Sequence, residues 1–189
     1  MGKSICFLAV EAAKVGKQPR IVAVDTWADH QTVTTGETFE GEETYRRFLA
    51  NIEPVSDRIE VRRESSLEAA ESFDDASCDF VFIDASHEYE DVRDDLVAWY
   101  PKVKSGGVLA GHDYHWPGVS RAVKEFTAAN GLKRPRKTEL CWVIEVGTES
   151  RTRQQRLADL FTAPFQHLLS LVSRVRYELM VRRRQSRDM

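Results

Sequence analysis

The chain is poor in cysteine, lacks long apolar runs and is nearly balanced in charge, and each of these shortages removes a class of protein. Cys6, Cys78 and Cys141 are its three cysteines, an odd number without Cys-x-x-Cys spacing, so neither a disulfide framework nor a structural zinc site is indicated. Each reads as a reduced, small core residue. The longest strongly apolar runs, CDFVFID and GGVLAG, are strand-length against the roughly 20 residues of a membrane span. No signal-peptide pattern opens the chain, which points to a cytoplasmic location. The 27 basic and 30 acidic side chains leave a net charge of −3, which argues against a nucleic-acid partner.

What remains is 189 residues with 42% apolar and 10% aromatic content, enough for one core and too few for two ordinary domains. Residues 151–189 hold nine arginines against Asp159, Glu178 and Asp188, a local balance of +6 that leaves −9 on residues 1–150. That asymmetry predicts a domain over 1–150 and a basic helical extension over 151–189.

Along residues 1–150, helical and strand patterns alternate. Ile5, Leu8, Ala12 and Val15 recur at helical spacing before Gly16, IVAVDTW reads as a buried strand, and GEETYRRFLANI reads as a helix. RIEVRRE is a strand, Ser66 to Phe73 a short helix, CDFVFIDA a strand and EYEDVRDDLVAWYPKV an acidic-faced helix. SGG predicts a turn, VLAGHDY a strand, GVSRAVKEFTAANG a helix and ELCWVIEV a strand. The alternation implies an α/β fold, a Rossmann-like and mostly parallel sheet with helices on both faces. Ligands of such sheets bind beyond the carboxyl ends of the strands. Asp25, Ser65, Ser66, the run Asp84 to His87 and the run His112 to His115 are therefore expected to converge.

Asp25 ends a strand where nucleotide-binding α/β folds place a carboxylate to accept ribose hydroxyls, although of the glycine-rich turn that usually precedes it only Gly2 is present. A solvated strand end is the alternative. FVFIDASHEYEDVRDDL sets Asp84, Ser86 and His87 at a strand tip before a helix, and GGVLAGHDYHWPGV sets His112, Asp113 and His115 at the next tip. Carboxylates and imidazoles so placed bind a divalent cation through oxygen and nitrogen or deprotonate a hydroxyl; alternatively they cap helices and loops. Trp27 and Trp116 each follow a tip and would wall a pocket or pack a loop.

These motifs, VDTW, FIDASHEYEDVRDDLVAWYPKVKSGGVLAGHDY and PGVSRAVKEF, resemble the class I S-adenosylmethionine-dependent methyltransferases, in the branch grouped with cephalosporin hydroxylase-like proteins. The likeness runs from about Gly2 to Val146. It implies methyl transfer from S-adenosyl-L-methionine, with a hydroxyl oxygen of a small-molecule acceptor such as a sugar or secondary metabolite receiving the group. It also implies that Asp25 and Gly2 hold the donor beside Trp27, that Ser65 or Ser66 lies near its adenine and that Asp84 lies beside its methionine end. Related sugar O-methyltransferases bind a divalent cation such as magnesium through positions that match Asp84, His112 and Asp113, with His112 standing where the family has Asp. His87 or His115, with Asp84, would then handle the acceptor's proton. The family's first strand and acidic glycine-rich turn have no counterpart here, which predicts an N-terminally truncated chain.

Two other readings stay open: a truncated or degenerate non-catalytic interaction module, and a nucleotide hydrolase suggested by GKS and FVFID. Residues 28–40, polar and containing Gly36, are expected to form a lid. In the extension, Leu157, Leu160, Phe161, Phe165, Leu168, Leu169, Val172, Val175 and Leu179 recur at helical spacing opposite the arginines. That face would pack on the domain or a second copy as a homodimer, or dock on an anionic membrane surface.

Overall fold

A computed structural model describes residues 2–14, 16–31, 36 and 38–147. The expectations for the extension, and the centre of the expected lid, fall outside them. The described residues divide into two compact units, one up to residue 69 and one from residue 70 to residue 147.

In the first unit, helix α1 (Lys3–Lys14) precedes strand β1 (Ile21–Asp25), a short antiparallel pair β2 (His30–Gln31) and β3 (Thr38–Phe39), helix α2 (Gly41–Ile52) and strand β4 (Ile59–Arg63). The three-to-four spacing of Gly41, Thr44, Phe48 and Ile52 turns one stripe of α2 inward. Phe48 and Ile52 build a core with Ala9, Trp27 and Ile59. β1 and β4 run parallel, from Ile21 beside Ile59 to Asp25 beside Arg63. α3 (Ser66–Glu71) closes the unit and runs into the next.

The second unit orders its strands β5 (Cys78–Ile83), β6 (Val103–Gly111), β8 (Cys141–Glu145) and β7 (Arg136–Thr138). β5 and β6 are parallel, with Ile83 beside Gly111, whereas β8 returns antiparallel to β6 with Trp142 beside Gly111. Side chains alternate across these strands. Phe80, Phe82, Val108, Ala110 and Val143 form one apolar cluster, while Leu109, Trp142 and Ile144 stand at the alternate positions and are buried too. Helix α4 (Tyr89–Trp99) buries Val92, Leu96 and Trp99, and helix α5 (Pro117–Ala129) buries Val119, Ala122 and Val123.

The parallel ladders bear out the α/β reading, but SGG is not a turn. Ser105, Gly106 and Gly107 lie inside β6 because Gly106 donates its N–H to the Val146 carbonyl at 2.8 Å and Val146 donates back to Gly107 at 3.0 Å. Gly106 takes φ +84°, which a side chain would resist, so the strand kinks and continues. Among the described residues β1 is hydrogen-bonded to β4 alone and β5 to β6 alone. No helix among them is long and apolar enough to cross a membrane.

Candidate functional site

The tips of β5 and β6 build one polar cluster in the second unit. The register that sets Ile83 beside Gly111 brings the next residues, Asp84 and His112, out together, and His112 donates its backbone N–H to the Ile83 carbonyl at 3.0 Å. Asp113 then adopts φ +58°, a left-handed conformation that aspartate tolerates better than most residues. A turn follows in which Trp116 donates its backbone N–H to the Asp113 carbonyl at 2.9 Å, and Pro117 starts α5 with a fixed φ.

This backbone turns the Asp113 carboxylate to two imidazoles. His87 Nε2 is 2.8 Å from Asp113 Oδ2, and His112 Nδ1 is 2.9 Å from Oδ1. His112 Nδ1 also lies 3.9 Å from Asp84 Oδ1. Ligand atoms of Asp84, His112 and Asp113 all fall within 4.8 Å of one another. Two of the three are buried, His112 at 3% and Asp113 at 7% exposure, so their interactions work in a medium less screening than water.

His87 comes from the loop entering α4. There Ser86 Oγ accepts the Glu88 backbone N–H at 3.1 Å, which engages that hydroxyl in the turn. The His87 ring lies flat against Trp116, with centroids 4.8 Å apart and planes 2° from parallel. His115 is more exposed, and its Nδ1 stands 3.9 Å from Asp113 Oδ1. Of the two roles open to Trp116, pocket wall or packing, it takes the second by fixing the His87 ring, and Trp142, buried in β8, lines the cavity beside the cluster. The signal for Trp142 is its register opposite Gly111.

The other expected site residues belong to the first unit. Asp25 is exposed, and its Oδ1 accepts the Trp27 backbone N–H at 2.8 Å in a tight turn. Trp27 itself is buried against Tyr45 and Phe48, with ring centroids at 4.9 and 4.8 Å, so its ring fills the core of its unit. Gly2 backs onto Ile52 and Phe48. Ser65 and Glu68 form a reciprocal cap on α3: Glu68 donates its N–H to Ser65 Oγ at 3.3 Å, and Ser65 donates its own N–H to Glu68 Oε2 at 3.0 Å. Ser65 Oγ–H also donates to Glu68 Oε2 at 2.6 Å. These bonds, the hydroxyl's first, hold the Glu68 carboxyl below its ordinary range. Ser66 is the first residue of α3.

Comparison with known proteins follows the same lines. A model of the family described as "Methyltransferase domain" matches residues 1–114. An uncharacterized protein, y4gI, from Sinorhizobium fredii (strain NBRC 101917 / NGR234) is 33% identical over 91 residues, which is 48% of this chain and 10% of that one. The chain thus spans about a tenth of that relative's length. Among solved structures, the O-methyltransferase NovP is similar with a TM-score of 0.54 at 16% identity, over 75% of this chain and 66% of NovP. At that identity the likeness concerns the fold alone. With 114 of its residues matched by the family model, the chain belongs to the methyltransferase-domain family.

Proposed function

We propose that this chain catalyses S-adenosylmethionine-dependent methyl transfer to a hydroxyl oxygen of a small molecule such as a sugar or secondary metabolite. The observation that carries the reading is the Asp113 carboxylate held between His87 and His112 with Asp84 alongside. Family membership supports the reaction class, and the cluster supports an acceptor that must lose a proton.

Asp84, His112 and Asp113 offer ligand atoms within 4.8 Å of one another; the two carboxylates suit a divalent cation such as magnesium, whereas the imidazole nitrogen suits a softer divalent ion. When bound it would lower the pKa of a coordinated hydroxyl. His87 is the base in this reading. In the tautomer whose Nε2–H donates to Asp113 Oδ2, Nδ1 carries the lone pair, and stacking on Trp116 holds the ring plane. His115, with 47% of its side chain exposed and without so short a bond to Asp113, is the second candidate. S-adenosylmethionine supplies the methyl group from its sulfonium centre. Asp25, exposed at the end of β1, would accept the donor's ribose hydroxyls through the oxygen outside its turn.

Calorimetric titration with S-adenosylmethionine, S-adenosylhomocysteine, NAD and ATP tests the proposal. Binding of the first two is the expected result. Preference for NAD or ATP sinks it, and binding of none of the four favours the interaction-module reading.

A further inference from the structure

Trp142 is 1% exposed, and its indole Nε1 has no hydrogen-bond partner among the described residues. Buried N–H groups nearly always find an acceptor, so this donor calls for one. The indole lies across Gly111: a methyl group at Gly111 would stand 2.5 Å from Trp142 Cε2, the carbon bonded to Nε1. The ring edge formed by Cζ2 and Cε2, the latter bonded to Nε1, therefore faces the residue that leads into His112 and Asp113. Trp142 also lines a cavity of about 10 Å³, together with Ile83, Asp84, His112, Asp113 and Val92 among others. Its size matches one water, since a buried water needs about 10–15 Å³ of such space and two to four polar partners.

We propose that this cavity binds a single water molecule, which accepts the Trp142 indole hydrogen and donates one hydrogen each to the carboxylates of Asp84 and Asp113. The water makes Trp142 a positioning residue. It ties the rigid β8 strand to two carboxylates on adjacent tips, one of them on a left-handed backbone. Gly111 is part of the device, because any side chain there would collide with the Trp142 ring and the Ile83 carbonyl. The link to catalysis rests on the methyl-transfer reading; the water site itself does not.

The test uses the full chain labelled with 15N-tryptophan, in which Trp142→Phe identifies the Trp142 signal among the four indoles. The expected result is a cross-relaxation peak from that indole proton to a long-lived water, together with hydrogen exchange about 100-fold slower than that of half-buried Trp116. Absence of the water peak overturns the proposal, and so does exchange as fast as that of Trp116. These spectra need neither donor nor acceptor, so their failure is distinct from failure of the methyl-transfer reading. With an acceptor in hand, Trp142→Phe should lower kcat about tenfold and leave donor affinity unchanged. Full turnover in Trp142→Phe overturns the positioning role.

Discussion

Both oxygens of the Asp113 carboxylate face imidazoles, Oδ2 at 2.8 Å from His87 Nε2 and Oδ1 at 2.9 Å from His112 Nδ1. An amide cannot replace it. Asparagine offers one acceptor and one donor head, so Asp113→Asn must turn an N–H toward one of the two rings. Methyl transfer should fall about 100-fold or more in this variant. Donor affinity measured by calorimetry should hold, because the expected donor contacts other than Asp84, namely Gly2, Asp25, Trp27, Ser65 and Ser66, lie in the other unit. Weaker magnesium binding in the same titration would tie Asp113 to the cation as well as to His87.

The backbone at Asp113 separates geometry from charge. With φ at +58°, an ordinary side chain costs about 1–2 kcal/mol in the left-handed region, a penalty glycine escapes. Glycine also loses more entropy on folding, which offsets part of that gain. Asp113→Ala should therefore unfold in urea at or below the midpoint of Asp113→Gly, by up to about 1 kcal/mol. Both should be equally poor enzymes, since neither carries the carboxylate. An alanine variant clearly more stable than the glycine variant would show that the turn has relaxed out of the left-handed region.

Local periodicity made the frame legible. α2 spans Gly41–Ile52, the GEETYRRFLANI segment, because its apolar stripe and its inward face are the same thing. β7 escaped notice because Arg136–Thr138 is polar throughout, as an edge strand needs to be and a hydrophobic pattern cannot reveal. The tips were legible as places where chemistry collects, yet the pairing of His87 with Asp113 was not. Those residues are 26 apart in sequence, and they meet only through the β5–β6 register and one left-handed aspartate. The role of Ser65 was within reach, since Ser65-Ser66-Leu67-Glu68 is a capping-box pattern at the start of a helix.

That cap gives a prediction that discriminates between two roles for one serine. If Ser65 serves α3, Ser65→Ala removes the acceptor of the Glu68 N–H and the hydroxyl donor to Glu68. The protein should lose about 1 kcal/mol in denaturant unfolding. S-adenosylmethionine affinity should stay the same. A variant of parental stability whose donor affinity drops would return Ser65 to the adenine contact expected from the family resemblance.

The first unit carries a pH-sensitive clasp. Glu60, the second residue of β4, has its carboxyl held below the ordinary range, first by the hydrogen bond from Arg62 and then by that from Arg20, the residue just before β1. A carboxyl whose folded pKa is depressed contributes stability above its unfolded pKa, about 4.3. That contribution is lost as pH falls through the lower, folded value. The group is exposed, so its effect is small and salt will screen it. Melting curves of the parent and Glu60→Gln should therefore differ at neutral pH in low salt, with the parent the more stable. The gap should close as the buffer is taken below the ordinary carboxylate range. It should also narrow at neutral pH when salt is raised. A gap that persists unchanged at acidic pH would mean that glutamine weakens β4 through packing, and that the pairing of Arg20 with Glu60 contributes nothing to the hold between β1 and β4.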